Sequence, residues 1–168
     1  MVNNQNYDLY TTSSYWGTAG LNYYQIPLAQ VAPIDFSVNV TNGGQQTMIN
    51  SKLNVNINAG SWTLSSTGSN ISPSASDSLF TTTQFTPSAT TLATYTINRT
   101  ISSFNIDELP SNNALPTISI NTTNYIYARD NGTVDGFTSN GTEYFETGNI
   151  FDIFNDQTVA SVNTYLTS

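Results

Sequence analysis

Two stretches in the first third of the chain alternate strictly between apolar and polar residues. The apolar members are Ile34, Phe36, Val38 and Val40 in the first stretch, and Leu53, Val55 and Ile57 in the second. Side chains of a β-strand point alternately to its two faces, so each stretch predicts a strand with one buried and one wet face. Thr41-Asn42-Gly43-Gly44 lies between them and tolerates positive φ, which favours a chain reversal. We therefore predict a hairpin of neighbouring strands in one sheet.

Shorter runs of the same kind continue along the chain. They lie at 7–10, 61–64, 80–85, 92–101 and 117–120, separated by residues that favour turns. No stretch shows a helical period, and two prolines in 21–33 exclude a long helix there. Short strands separated by turns are typical of an all-β sandwich. Arg99 falls on an apolar strand face, and we expect it near the end of the sheet with its guanidinium in water.

The composition changes near residues 121–124. Five of the eleven acidic residues lie before this point, and the other six crowd into 130–156 together with several glycine turns. We place a boundary here, between a sandwich in 1–123 and a C-terminal β extension or partial second β domain in 124–168. The start of the chain is polar and does not resemble a signal peptide, and we interpret the sequence as a fragment of a longer protein.

Charge excludes several classes of function. The 168 residues include three basic and eleven acidic side chains, a formal net charge of −8, with no Cys and no His. Nucleic-acid binding needs clustered Lys and Arg, and membrane insertion needs an apolar run of about 20 residues. The chain has neither. Thiolate metal sites and histidine bases are also absent, and no serine has a G-x-S-x-G setting, so we predict that the chain is not an enzyme.

Three segments together carry a resemblance to a known family. They are VNVTNGG at 38–44, FTPSATTLATYTINRTI at 85–101 and DELPSNNALPTISI at 107–120. The chain resembles a CARDB-type, immunoglobulin-like domain of bacterial cell-surface proteins. Its last 45 residues are similar to the opening of a β-rich domain that follows such modules in large proteins secreted by the type IX route. The resemblance implies a seven-stranded sandwich, a secreted or cell-surface location and a spacing or adhesion role, without catalytic residues.

Aromatic residues near the start form one candidate ligand site. Trp16, Tyr23 and Tyr24 can offer ring faces on which sugars stack, but aromatic side chains also fill β-sheet cores, and core or edge packing is the favoured interpretation. Tyr23 and Tyr24 are adjacent, so in an extended chain they face opposite sides and only one of them is buried.

Acidic residues form two further candidate sites. Asp130, Asn131 and Asp135 surround a glycine turn, and with Glu146 they offer the oxygen ligands that calcium prefers. Asn-Gly and Asp-Gly are also the usual residues of hairpin turns, and we favour that interpretation over a metal site. Asp107 and Glu108 form an acidic pair, which we interpret as a solvated loop and not as a glycosidase pair.

These observations lead to two hypotheses of different classes. The leading one is a non-catalytic extracellular module that serves as a spacer, adhesion or assembly unit and contacts neighbouring domains or protein subunits. The alternative is a carbohydrate-binding module of a polysaccharide-degrading enzyme, with a glycan as its partner. No cofactor is predicted apart from the calcium alternative.

Overall fold

The computed structural model describes residues 5–16, 23–58, 60–130 and 149–163, and for positions 12–16 it describes the backbone alone. Nine strands and two short 3₁₀ turns, Leu28–Gln30 and Pro110–Asn112, make up the regular structure of this part of the chain. None of its helices is long and apolar enough to cross a membrane. The predicted all-β sandwich is confirmed.

The strands form two sheets. They are β1 (Leu9–Trp16), β2 (Gln25–Pro27), β3 (Phe36–Asn42), β4 (Met48–Ile57), β5 (Trp62–Ser65), β6 (Ser69–Ile71), β7 (Ser76–Phe80), β8 (Thr94–Ser102) and β9 (Ile118–Thr123). One sheet has the order β1-β3-β7, and the other has the order β2-β9-β8-β4-β5, with β6 also paired to β4. Strands β2 and β9 run parallel, and the other pairs are antiparallel.

The two alternating stretches form strands β3 and β4, but not a hairpin. Strand β3 lies between β1 and β7 in the three-stranded sheet, whereas β4 lies between β5 and β8 in the other sheet. The predicted pairing is therefore wrong, because the chain crosses from one sheet to the other after Asn42. Alternation shows that each strand buries one face, and this holds equally for strands side by side and for strands facing each other across a core.

Asn42 holds the crossing between the sheets together. Its side chain is completely buried, and its Nδ2 donates to the carbonyl oxygens of Gln46 and Ile71, both at 2.8 Å. Its Oδ1 accepts from the Gly44 amide at 2.9 Å. A Cβ on Gly44 would lie 2.5 Å from the carbonyl oxygen of Asn6. The glycine is needed here for close approach, since neither Gly43 nor Gly44 has the positive φ that the sequence led us to expect.

The core lies between the sheets and is built from the inward faces of their strands. Its completely buried members include Phe36, Val38, Val40, Leu53, Ile57, Ile97 and Ile120. Full burial of one such side chain is worth about 1.5–3 kcal/mol, so these residues dominate the stability of the sandwich.

Arg99 belongs to this interior, which corrects the expectation that its guanidinium reaches water. It is 2% exposed on the inward face of β8, and its Nη2 donates to the carbonyl oxygen of Pro116 at 2.9 Å. Burial lowers the pKa of Arg99 to about 10, partly opposed by Tyr24. A carbonyl group of the loop before β9 thus binds the guanidinium of an arginine that lies on the inward face of its strand.

Replacing Arg99 by methionine is expected to raise the free energy of unfolding by about 1 kcal/mol. Methionine keeps the apolar stem of the arginine and removes a charge whose desolvation is unfavourable. Arg99→Ala leaves a cavity and is expected to lower the same quantity by about 2 kcal/mol. Urea unfolding at pH 7, followed by circular dichroism, measures both variants. A methionine variant less stable than the wild type would contradict the assigned cost of burying the charge.

The described part of 124–168 contains no named strand. Ala128 forms an isolated bridge with Gln25, and residues 150–155 lie against the sandwich near Gln30. Strand β9 ends at Thr123, where the composition changes. Residues 131–148 and 164–168 lie outside the described residues, so the second β domain stays a prediction.

Candidate functional site

The Tyr23 side chain, just before β2, is the centre of an aromatic and charged cluster. It is 7% exposed. Its ring stacks on that of Tyr127 with centroids 4.8 Å apart, and the Arg129 guanidinium carbon lies 3.8 Å from the Tyr23 ring centroid. Phe151 lies at the side of the cluster, 6.2 Å from Tyr23. Tyr23 is therefore the buried member of the adjacent tyrosine pair.

The hydroxyl of Tyr23 binds the chain that follows Ile150. It accepts from Arg129 Nη2 at 2.5 Å and from the Asp152 amide at 2.9 Å, and it donates to Asp152 Oδ2 at 3.0 Å. Arg129 also donates to the carbonyl oxygen of Ile150 and lies 3.7 Å from the Asp152 carboxylate. A phenol has one proton and two lone pairs, so this hydroxyl can donate and accept at the same time.

Gln30 holds the next residues of the same segment. The side chain is 2% exposed, and its Oε1 accepts from the amides of Phe154 at 2.8 Å and Asn155 at 3.3 Å. Its Nε2 donates to the carbonyl oxygen of Asn155 at 2.7 Å. Asn155 Nδ2 in turn donates to the carbonyl oxygen of Ala29 at 2.6 Å. The side-chain amide of Gln30 thus donates to and accepts from the backbone of the segment, as the peptide groups of a neighbouring strand do in a sheet.

We call residues 150–155 the docked segment. The docking seat is the set of residues that hold it through side-chain or carbonyl contacts: Tyr23, Ala29, Gln30, Tyr127 and Arg129. The seat lies beside the outer edge of the six-stranded sheet, where β2 is the last strand. At Gln25 the outer edge of β2 is bonded by Ala128, and the docked segment contacts Tyr23 and Gln30 on either side of this strand.

Alkaline pH is expected to weaken this docking through Tyr127. Its hydroxyl donates to the carbonyl oxygen of Asp152 at 2.9 Å, and burial, followed by a hydrogen bond with Tyr23, raises its pKa above the ordinary value of 10.0. A raised pKa in the folded state means that the stabilisation is complete below pH 10.0 and is lost as the pH rises above it. Urea midpoints between pH 9 and 11.5 should fall less steeply for Tyr127→Phe than for the wild type. Equal slopes would contradict the assignment.

A second feature is a groove of about 430 Å³ beside β9. Its lining includes an aromatic ring, a carboxylate, amides and hydroxyls: Tyr24, Gln25, Pro116, Thr117, Ile118, Ser119, Asn121 and Asp130. Tyr24 is partly exposed, and Asp130 is exposed. The structure thus brings together one residue of the predicted aromatic platform and one of the predicted calcium site.

The other predicted site residues are not brought together in the described part of the chain. Tyr23 belongs to the docking seat, and the side chain of Trp16 lies outside the described residues, as do Asn131, Asp135 and Glu146. In the described ranges no three acidic, histidine or cysteine side chains come close enough to hold a metal ion. The aromatic platform and the calcium site stay predictions.

Four of the described carboxylates accept hydrogen bonds from neighbouring groups. Asp107 is only partly exposed, and its Oδ2 accepts from the Leu9 amide at 2.8 Å and from Asn113 Nδ2 at 3.1 Å. The Asp107 carboxylate therefore binds the outer edge of β1, which corrects the expectation of a solvated acidic loop at this residue. Asp8, Asp35 and Asp77 likewise accept hydrogen bonds from Asn112, Gln84 and Ser69.

Hydroxyl and amide side chains on the outer faces of both sheets bond to one another across neighbouring strands. On the three-stranded sheet, Thr41 bonds Ser76 at 2.8 Å and Ser78 donates to Asn39 at 2.7 Å. On the six-stranded sheet the donor and acceptor pairs are Thr94 and Asn121, Thr117 and Asn98, and Asn54 and Ser102, at 2.6 to 2.8 Å. Most of these residues are exposed, and none carries a charge.

Gln30 and Arg129 are the functional residues that the sequence interpretation missed. Gln30 lies between two prolines in the stretch 21–33, and no sequence pattern marks it there. Arg129 could have been found from the sequence, because the chain has only three basic residues. An arginine next to a predicted acidic loop is a candidate partner for its carboxylates.

The two sheets define the class of the protein, an all-β sandwich module. The chain is similar to the crystal structure of a CARDB domain from Pyrococcus furiosus in complex with di-metal ions, with 16% identity, a TM-score of 0.47 and coverage of 73% of this chain and 94% of that one. The solution structure of a CARDB domain from the same organism gives 19% identity, a TM-score of 0.49 and coverage of 72% and 99%. This is the kind of domain that the sequence resembles. No protein-family model and no curated protein matches the chain.

Proposed function

We propose that the chain is a non-catalytic, extracellular β-sandwich module that serves as a spacer, adhesion or assembly unit of a larger bacterial surface protein. The observation that carries this proposal is the set of uncharged, cross-bonded pairs on the outer faces of both sheets. Hydroxyl and amide groups that bond to each other across strands make these faces hydrophilic without adding charge.

Such a surface suits a module exposed to varying salt. Interactions between exposed charges weaken as ionic strength rises, whereas uncharged hydrogen-bonded pairs are not screened in this way. The acidic residues support the absence of catalysis, because the carboxylates of Asp8, Asp35, Asp77, Asp107 and Asp152 accept hydrogen bonds from non-acidic side chains. Glycoside hydrolysis requires two carboxylates on either side of one bond.

The location is tested by labelling bacterial cells that produce the parent protein with an antibody raised against this module. Labelling of intact cells is expected, equal to that of permeabilised cells. Labelling that requires permeabilisation would overturn the extracellular assignment. In parallel, a panel of polysaccharide and aryl-glycoside substrates should show no turnover above that of the heat-denatured protein.

The groove beside β9 favours a second function, the binding of a glycan. Sugar rings stack on aromatic faces and bind through carboxylate, amide and hydroxyl groups, and the groove offers Tyr24 together with Asp130, Asn121 and Thr117. This keeps the carbohydrate-binding alternative and rests it on Tyr24, one of the three aromatic residues predicted to bind sugar.

A glycan array followed by calorimetry on the best ligand tests this second function. Tyr24→Ala is expected to weaken binding about tenfold, a change of about 1.4 kcal/mol. Tyr125 is the matched control, since its ring is 90% exposed and it does not line the groove. Silence of the whole array, or equal losses for Tyr24→Ala and Tyr125→Ala, would remove the proposal.

Calcium binding around Asp130 is a separate proposal that rests on the sequence pattern of Asp130, Asn131, Asp135 and Glu146. Millimolar calcium is expected to raise the melting temperature relative to a chelator, and Asp135→Asn should abolish the difference. Equal melting temperatures with calcium and with chelator would dismiss the site.

A further inference from the structure

We propose that the docking seat is a peptide-recognition site that also accepts the docked segment of a second copy of this chain, so that two copies are joined by exchanging residues 150–155. This inference rests on the proposed function and deepens it, because it names the site and the partner of the assembly role.

The docked segment is recognised through both its backbone and specific side chains. Backbone groups of four of its six residues are bound: Ile150, Asp152, Phe154 and Asn155. Two of its side chains are also bound, Asp152 by Tyr23 and Arg129 and Asn155 by the carbonyl of Ala29. Binding of main-chain groups together with selected side chains is a general way in which proteins recognise peptides.

The seat belongs to the sandwich side of the contact. Ala128, which lies between two seat residues, is tied to the β2 edge, since its amide donates to the Gln25 carbonyl at 3.0 Å and its carbonyl accepts from the Tyr24 amide at 2.9 Å. Tyr23 and Gln30 flank β2 and are both buried. The residues that recognise the segment are thus attached to the edge of the sheet, and the segment is the part of the contact that can separate from it.

Docking within one chain leaves the larger apolar side chains of the segment in water. Ile150, Ile153 and Phe154 are 70%, 58% and 49% exposed. Clustered exposed apolar residues mark interaction surfaces. These side chains are therefore available for contact with a second copy that is brought close by exchange.

Chain length permits the exchange. Eighteen residues, 131–148, separate the described parts of the seat and the segment in the sequence, and a chain of this length reaches at most about 60 Å when extended. Binding within one chain benefits from an effective concentration near the millimolar range, so a single copy fills its own seat in dilute solution. Exchange is therefore measured best when docking within one chain is blocked.

Two complementary variants of the full chain block it. Gln30→Ala damages the seat and leaves the segment intact, while Asp152→Ala/Asn155→Ala damages the segment and leaves the seat intact. Only a mixture of the two can form one complete contact, and that contact must join two chains. The matched control replaces the exposed residues just after the segment, Asp156→Ala/Gln157→Ala, whose seat stays filled by its own segment.

Light scattering after size exclusion, at about 200 µM chain, measures the outcome. The complementary mixture is expected to contain a complex of two 18.2 kDa chains with a dissociation constant of about 10⁻⁵ M, while each variant alone and the mixture of Gln30→Ala with the control stay monomeric. A monomeric complementary mixture would overturn the exchange. If the double variant fails to fold by circular dichroism, Asn155→Ala replaces it with the same expected and overturning results.

These outcomes are distinct from those of the proposed function. A monomeric mixture leaves surface labelling and the lack of turnover untouched. Labelling confined to permeabilised cells would overturn the extracellular assignment without affecting the formation of the mixed complex.

Discussion

Replacement of Asn42 by alanine is expected to lower the free energy of unfolding by about 3 kcal/mol. The substitution leaves the buried carbonyl of Ile71, the buried amide of Gly44 and the carbonyl of Gln46 without this partner. Each buried polar group that loses its hydrogen bond costs about 1–3 kcal/mol. Because typical domains are stable by about 5–15 kcal/mol, this one change removes a large share of the total.

Urea unfolding followed by far-ultraviolet circular dichroism measures the loss. Asn56→Ala is the matched control on β4, because its side chain is exposed, and it should change the midpoint little. Asn42→Asp should be at least as harmful as alanine, since a carboxylate then faces two carbonyl oxygens. Similar midpoints for the variants at positions 42 and 56 would refute the role given to Asn42.

Replacement of Phe36 by alanine is expected to lower the free energy of unfolding by about 4 kcal/mol. Phe36 on β3 is completely buried between the sheets, so truncation removes apolar contact and leaves a cavity. Phe36→Leu fills most of that cavity and should cost about 1.5 kcal/mol.

Phe104→Ala is the control for this second variant, because Phe104 is 80% exposed. Thermal unfolding should show a midpoint close to that of the wild type for this control and a large decrease for Phe36→Ala. A smaller effect at position 36 than at position 104 would contradict the assignment of the core.

The alternation of apolar residues predicted the strands but not their partners. Strands β3 and β4 both bury the faces that the sequence marks, yet they pair with other strands and not with each other. Pairing depends on the connection between strands. Here the decisive residue is Asn42, whose type fits an ordinary turn as well as a buried crossing.

Burial of polar residues was the other limit of the sequence interpretation. Arg99 was expected to reach water, and no pattern marked Gln30 as buried, yet both are 2% exposed. Each is stabilised by carbonyl or amide groups of loops that approach only in the folded chain. Contacts between distant parts of the chain cannot be inferred from a pattern along the sequence. The adjacency of Tyr23 and Tyr24, by contrast, was enough to predict that only one of them is buried.

Because the chain has few basic residues, the folded protein offers trypsin few accessible cleavage sites. Trypsin cleaves after Lys and Arg, and of the three such residues Arg99 and Arg129 are buried while Lys52 is partly covered in the middle of β4. Cleavage after Arg129 requires release of the docked segment, and cleavage after Arg99 requires opening of the core. The order in which tryptic fragments appear therefore reports which part of the molecule opens first.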